Sequence, residues 1–232
     1  MRQEFAQWRF AQLTAVTLVY LLVAPWFASL SLLKVIAQLV LFNTLFVTIS
    51  ATKRGTFDRH LRMGMWGLFA ISVVVAISEL MPISGSWRHA AWYAEVIVST
   101  LLQAGCAAGI LVYIARSDRV RMDSIFAAIV AYVLIAVVFA MLYLLIWDLN
   151  PRAFSLPPDQ TAATDDARIT MIYFSFVTMA TLGYGDITAV APFARMVAVV
   201  EAMTGQFYVA ILVGLLVGLY ISHGTSVRHQ NK

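Results

Sequence analysis

Six apolar segments, each long enough to cross the hydrocarbon core of a membrane, constrain what this chain can fold into. A membrane-spanning helix needs about 20 apolar residues. Segments of that length lie at residues 10–27, 29–51, 64–82, 91–115, 124–147 and 193–220. Of the 232 residues, 61% are hydrophobic and only 12% are charged, too few charges to cover a soluble domain. Because backbone polar groups in lipid must pair within the chain, we predict an all-α integral membrane protein with six transmembrane helices.

Lysine and arginine are distributed unevenly between the loops that these helices would connect. Cytoplasmic loops of membrane proteins are enriched in both residues. With a cytoplasmic N-terminus, 11 of the 16 fall on the cytoplasmic side, namely Arg2, Arg9, Lys53, Arg54, Arg59, Arg62, Arg116, Arg119, Arg121, Arg228 and Lys232. The other five are Lys34, Arg88, Arg152, Arg168 and Arg195. Both termini are therefore predicted to be cytoplasmic, and the net charge of +4 is attributed to topology rather than to nucleic acid binding.

The fourth segment, 91–115, lacks the charges of a voltage sensor. A sensor helix carries Arg at every third position inside the membrane. This segment contains no Arg, and its only charged side chain is Glu95. Arg116, Arg119 and Arg121 follow it, and we interpret them as topology determinants. Gating by voltage through these three residues is the less favoured alternative.

Between the fifth and sixth segments the pattern predicts a helix that is too short to span the membrane. Thr164-Asp165-Asp166 is typical of a helix start, because Thr and Asp cap free N–H groups there. The apolar stretch 169–179 follows, and then a segment with two glycines, Gly183 and Gly185. Non-helical backbone at membrane depth is tolerated only where it is buried in protein or lines a water-filled path. We therefore predict a re-entrant helix whose C-terminal end favours a cation.

The residues Thr181-Leu182-Gly183-Tyr184-Gly185, followed by Asp186, resemble the T-x-G-Y-G selectivity filter of the potassium channels. The resemblance covers about residues 124–220. It implies a homotetramer in which backbone carbonyls of four copies replace the hydration shell of K⁺. It also implies K⁺ ligands at Thr181, Leu182, Gly183 and Tyr184, no cofactor other than K⁺ itself, and a location in the bacterial inner membrane.

Four further residues are predicted to support the filter. They are Phe174, Thr178, Asp186 and Glu201. Glu201 is the one ionisable residue well inside the last segment, and we expect it to pack behind the filter against the short helix, in its protonated form. Tyr173-Phe174 stands where some potassium channels have paired Trp, and Ala180 where many have a second Thr. These departures bear on filter rigidity more than on ion preference.

The last segment contains the candidates for a gate. Gly205 lies 20 residues after Gly185, at the position that corresponds to the inner-helix hinge of the family. A hinge and close packing against the short helix are both left open for Gly205. Candidates for the cavity and the inner constriction are Gln206, Val209, Val213, Val217 and Ile221.

The resemblance divides the chain into three parts. Residues 1–123 form a four-helix region that is voltage-sensor-like by helix count, 124–222 a pore domain, and 223–232 a short cytoplasmic tail. The predicted function is passive K⁺ conduction by a homotetramer surrounded by membrane lipids, with no nucleic acid partner and no auxiliary subunit evident. No nucleophile–base pattern or metal-ligand spacing indicates an enzyme. A non-selective cation channel, a K⁺ transporter and a silent channel subunit are the alternatives.

Overall fold

A computed structural model describes residues 9–23, 44, 59–80, 86–116, 122–157 and 164–230 of the chain. These residues form six helices, here named α1 (Arg9–Val23), α2 (Arg59–Leu80), α3 (Ser86–Ala115), α4 (Met122–Leu149), α5 (Thr164–Met179) and α6 (Pro192–Gln230). A 3₁₀ turn at Pro151–Ala153 and two short strands, β1 (Phe154–Ser155) and β2 (Thr188–Ala189), complete them. The second predicted segment, 29–51, lies outside the described residues except for Thr44, which is helical and buried.

Three of these helices contain stretches long and apolar enough to cross a membrane: His89–Ala115, Asp123–Leu149 and Pro192–Leu212. Helix α5 contains a shorter apolar stretch, Ala167–Met179, and begins at the predicted Thr164. A mostly helical membrane protein is therefore confirmed. The count of six transmembrane helices and the assembly of four copies remain predictions.

The first of two buried apolar clusters joins the N-terminal helices to α4. It consists of Phe10, Leu13, Met65, Leu102, Cys106, Ala107, Ile110, Ala127, Val130, Ala131 and Leu134, and we call it the bundle cluster. Small residues at the contact of α3 with α4, such as Ala107 and Ala131, let the two helix backbones approach closely. Because Tyr208 of α6 also packs against this cluster, the packing crosses the division predicted at residues 123 and 124.

Two polar contacts join the start of α1 to the start of α4. The backbone N–H of Phe10 donates to Asp123 Oδ1 at 3.1 Å, and the Thr14 hydroxyl, which lies 2.8 Å from the Phe10 carbonyl oxygen of its own helix, is also 3.2 Å from that of Phe126. The first N–H groups of a helix have no partner within it, so a carboxylate from a neighbouring helix satisfies one of them here. Both helix starts therefore lie at the same end of the bundle, as the predicted topology requires.

The second cluster surrounds α5, and we call it the pore-helix cluster. It consists of Val96, Ala140, Met141, Tyr143, Leu144, Trp147, Ala153, Phe154, Ala167, Met171, Phe174, Ile187 and Ala194. Strand β1 pairs antiparallel with β2, with Phe154 opposite Ala189, and connects the chain before α5 to the chain after it. The prolines around residues 151–158 predict only a solvated loop, so the burial of Phe154 is a correction. Its ring is held between α4 and α5.

We expect a larger side chain between α3 and α4 to destabilise the protein. Ala107→Leu places a larger side chain in the bundle cluster, where overpacking typically costs about 1–3 kcal/mol. The adjacent Ala108 is exposed, so Ala108→Leu is the matched control. Thermal unfolding of the purified protein in detergent should show a lower Tm for Ala107→Leu alone. Equal Tm values for the two variants would contradict the arrangement of α3 and α4.

Candidate functional site

The site begins where α5 ends. The N–H of Thr181 donates to the carbonyl oxygen of Thr178 at 3.0 Å, and the N–H of Leu182 donates to that of Val177 at 2.9 Å. Together these two bonds make a Schellman motif, in which the residue after the helix cap adopts a left-handed conformation. Thr181 occupies that position with φ 57°. The closure of α5 thus turns the chain directly into the segment Thr181–Asp186, which we call the filter segment.

The filter segment alternates in backbone handedness. Thr181, Gly183 and Gly185 have φ values of 57°, 54° and 79°, whereas Leu182 and Tyr184 between them have negative φ. Successive N–H groups of an alternating backbone point to one side of the chain, which leaves the carbonyl oxygens to point to the other. Glycine adopts positive φ without a steric cost, which accounts for Gly183 and Gly185. The backbone can therefore present a row of oxygens to one ligand path.

Thr181 departs from the usual residue preference at its position. Among the described residues it is the only one other than glycine with a positive φ. A β-branched residue in this region is a true outlier, and such strain costs about 1–3 kcal/mol. Glycine would close the Schellman motif without that cost. This strain motivates the hypothesis that the Thr181 hydroxyl has a function.

The Thr181 hydroxyl is held by two contacts. It lies 2.7 Å from the carbonyl oxygen of Ala180, to which it donates, and 3.2 Å from Gln206 Nε2 on α6, from which it accepts. A hydroxyl has one proton and two acceptor lone pairs, so one lone pair is left for a further ligand. Gln206 was predicted as a gate or cavity residue, and the structure places it at the base of the filter segment.

Gly205 packs against the end of α5. A Cβ atom added at Gly205 would collide with the carbonyl oxygen of Met179 and lie 3.0 Å from its carbonyl carbon. Backbone has little room to move, and Met179 is itself buried. Of the two interpretations left open for Gly205, close packing therefore has direct structural support. A hinge at this position stays a prediction.

Glu201 is completely buried one turn before Gly205, facing both α4 and α5. Its Oε2 accepts a hydrogen bond from the Tyr143 hydroxyl at 2.6 Å, and its Oε1 contacts Ser175 Oγ. Ser175 Oγ also lies 2.6 Å from the carbonyl oxygen of Ala136 on α4. The structure thus places Glu201 behind the short helix, within a polar network that connects three helices.

Phe174 lies on the side of α5 that faces α4. Its ring centroid is 5.0 Å from that of Tyr143 and 5.5 Å from that of Phe154, both in edge-to-face geometry. Pairs of this kind contribute about 0.5–1.5 kcal/mol beyond the area they bury. Phe174 therefore supports the filter segment indirectly, by fixing α5 against α4 and β1.

The outer end of the filter segment is tied back to α5. The Tyr173 hydroxyl donates to Asp186 Oδ2 at 2.7 Å. This hydrogen bond lowers the pKa of Asp186 below its usual value, so the carboxylate is charged at neutral pH. In the sequence, Tyr173 stands out only as a departure from paired Trp. The signal that could have identified it is a tyrosine in the short helix, 13 residues before the acidic residue that ends the filter segment.

An ion pair joins α3 to the first turns of α5. Arg168 Nη2 lies 2.7 Å from Glu95 Oε2 and Nη1 lies 3.4 Å from Oε1, so the contact is bidentate. The Glu95 side chain is 11% exposed and that of Arg168 is 30% exposed. The sequence does not identify Glu95 as a site, and its partner lies 73 positions away. This pair ties the N-terminal helices to the helix that carries the filter segment.

The remaining predicted residues are placed as follows. Leu182 and Tyr184 are 56% and 66% exposed, so a single chain leaves much of the filter segment uncovered. Val209 is exposed on α6. Val213, Val217 and Ile221 lie within α6, but their side chains are outside the described residues.

The short helix α5 leads into the filter segment, and both lie between the long apolar helices α4 and α6. This arrangement is typical of the pore region of an ion channel. Residues 127–221, from α4 to α6, match a family described as an ion channel. The predicted resemblance to the potassium channel family is confirmed over this region, which is similar to ion channels. The match supports an ion channel and points away from an enzyme.

Two relatives each match about half of the chain. Protein LctB of Bacillus caldotenax is 27% identical over 119 residues, which make up 50% of this chain and 87% of that protein. Protein LctB of Geobacillus stearothermophilus is 29% identical over 101 residues, 42% of this chain and 72% of that protein. No solved structure matches the chain.

We expect Gly205→Ala to destabilise the pore region, because the Met179 carbonyl blocks the added methyl group. Overpacking of this kind typically costs about 1–3 kcal/mol. Gly214→Ala, on the same helix, is the control, since nothing lies within 4 Å of a Cβ built there. The measurement is the free energy of unfolding during SDS titration in mixed micelles. Equal stability of the Gly205→Ala and Gly214→Ala proteins would contradict the close packing of Gly205 against the end of α5.

A double-mutant cycle should detect the contact between α3 and α5. With Glu95→Gln and Arg168→Gln, we expect a coupling free energy of about 1 kcal/mol, reduced by the partial exposure of Arg168. Arg195 is exposed on α6, so a cycle of Glu95→Gln with Arg195→Gln should be additive. Unfolding free energies from SDS titration provide the comparison. Additivity in both cycles would show that the Glu95–Arg168 pair contributes nothing.

Proposed function

We propose that four copies of this chain form a K⁺-selective channel in the bacterial inner membrane, with both termini in the cytoplasm. The alternating backbone of the filter segment carries this proposal. Four such segments around one axis would present rings of backbone oxygens, with the Thr181 hydroxyl innermost. In the family that the segment resembles, such rings replace the hydration shell of K⁺. The ligands are then the oxygens of Thr181, Leu182, Gly183 and Tyr184.

The exposure of the filter segment supports assembly from several copies. Its backbone is not helical, and backbone of this kind cannot face lipid. In one chain the Leu182 and Tyr184 side chains are more than half exposed. Neighbouring copies would cover one side of the segment, and a water-filled axis would solvate the other. Because each chain contributes one filter segment, a complete filter needs a closed ring of chains. The resemblance to the potassium channels sets the number of chains in that ring at four.

An apolar face of α6 also supports assembly. Six side chains on it are each at least 50% exposed: Phe193, Met196, Val200, Met203, Phe207 and Ile211. They recur every three or four residues and therefore lie on one face of the helix. In the proposed tetramer this face meets neighbouring copies and, with Gln206 and Val209, borders the cavity below the filter.

The outer end of the filter segment favours cations. Asp186 is charged at neutral pH because the Tyr173 hydroxyl stabilises its carboxylate. Four copies would place four such charges around the outer mouth, which raises the local concentration of cations. Tyr184 between the two glycines favours K⁺ over a non-selective filter, by resemblance to the family.

The reversal potential in mixed ions tests the proposal. Purified protein in planar bilayers, with mostly K⁺ on one side and mostly Na⁺ on the other, should give single-channel steps that reverse near the K⁺ equilibrium potential. A reversal potential near zero would instead identify a non-selective cation channel. Transport of K⁺ without single-channel steps would identify a transporter. No current from the chain alone would contradict the homotetramer and favour a silent subunit.

Gly183→Ala should abolish selective conduction while leaving the fold intact. A Cβ at Gly183 meets nothing within 4 Å in one chain, so the cost arises from its positive φ of 54°. Gly67→Ala in α2 is the control, since it also has free space and alanine favours a helix. We expect an unchanged reversal potential for Gly67→Ala and lost or non-selective current for Gly183→Ala, at similar Tm. Selective current from Gly183→Ala would contradict the assigned filter.

A further inference from the structure

The protonation state of Glu201 can be read from its hydrogen bonds. Its side chain is completely buried, and among the described residues no Lys, Arg or His forms an ion pair with it. A buried carboxylate without a cation partner is strongly disfavoured. The Tyr143 hydroxyl donates to Oε2, so one carboxyl oxygen is satisfied in either state. The other oxygen, Oε1, faces Ser175 Oγ and decides the question.

Ser175 has one proton and two oxygen neighbours. The carbonyl oxygen of Ala136 lies 2.6 Å from Ser175 Oγ and can only accept. If Ser175 gave its proton to Glu201, its oxygen and that of Ala136 would face each other at hydrogen-bond distance with no proton between them. If Ser175 donates to Ala136, the proton between Ser175 and Glu201 must belong to the carboxyl group. Only the second arrangement satisfies every oxygen.

We propose that Glu201 is a positioning residue for conduction, a neutral carboxylic acid that donates its proton to Ser175 Oγ and accepts from Tyr143. The proposal rests on the proposed channel function only for its consequence in conduction. The network connects all three elements of the pore region, since Tyr143 and Ala136 lie on α4, Ser175 on α5 and Glu201 on α6.

The position of the network explains why it would matter for ions. Ser175 lies six residues before Thr181, and Glu201 lies four residues before Gly205. The contact of Gly205 with the Met179 carbonyl lies between the Ser175–Glu201 pair and the filter segment. The neutral Glu201 side chain thus fixes the position of α5 relative to α6 at the base of the filter segment. Among the described residues, Tyr132 on α4 is a further titratable group that interacts electrostatically with Glu201.

Infrared difference spectroscopy on the purified full-length protein tests the protonation state directly. The difference between wild type and Glu201→Gln at neutral pH should contain the carbonyl stretch of a protonated carboxylic acid. This measurement needs no ion current, so it tests the protonation state of Glu201 independently of K⁺ conduction. A carboxylate band pair in its place would overturn the proposal.

Variants test the positioning role. Glu201→Gln keeps a donor for Ser175 and an acceptor for Tyr143, so conductance and stability should stay within about twofold of wild type. Glu201→Leu removes both contacts and should raise the equilibrium constant for unfolding by about tenfold or more, with loss of conduction. Thr204→Val, which removes a hydrogen bond within α6 alone, is the control and should match wild type.

Two outcomes would contradict the positioning role. A Glu201→Gln protein that fails to fold would show that the neutral isostere does not replace the native group. Glu201→Leu with wild-type conductance would show that the network does not position α5.

Ser175→Ala should also lower the free energy of unfolding. Its effect should not be additive with that of Glu201→Leu, because both substitutions remove the same contact.

Discussion

The contact of Gly205 with the carbonyl oxygen of Met179 is the constraint on which the rest of the pore region depends. It places the backbone of α6 against the last turn of α5, where the Schellman motif turns the chain into the filter segment. Any side chain at Gly205 would separate the two helices at this point. The Gln206 amide, one residue further, then reaches the Thr181 hydroxyl. One close approach therefore sets both the height and the orientation of the filter base.

Polar contacts hold α5 in this position because apolar packing alone is weakly directional in a membrane. Lipid is as apolar as a leucine side chain, so specificity between helices comes from close packing and interhelical hydrogen bonds. Here Glu201, Ser175 and Tyr143 act on the inner half of α5, while Arg168 and Glu95 act on its first turns. The two sets connect α5 to α6, α4 and α3, whereas Gln206 and Tyr173 contact the two ends of the filter segment itself.

The features that sequence reasoning predicted are those that a local pattern encodes. Apolar length predicts α3, α4 and α6, and the motif from Thr181 to Asp186 predicts the channel family that the comparison confirms. The partners of Glu95 and Glu201 were beyond reach, because a lone acid in an apolar run does not indicate which distant helix satisfies it. The pairing of β1 with β2 involves two residues in each strand, too few for an alternating pattern to predict. Whether Gly205 serves packing depends on a distance that only the fold determines.

Diffraction from crystals of the full chain grown with Tl⁺ or Rb⁺ in place of K⁺ tests the central claim most directly. These ions scatter anomalously and mark cation sites without a prior model. For a fourfold filter we expect a row of anomalous peaks on a fourfold axis, each surrounded by the backbone oxygens of Thr181 to Tyr184 from four copies. Peaks away from that axis, or filter segments that do not face a common axis, would contradict it.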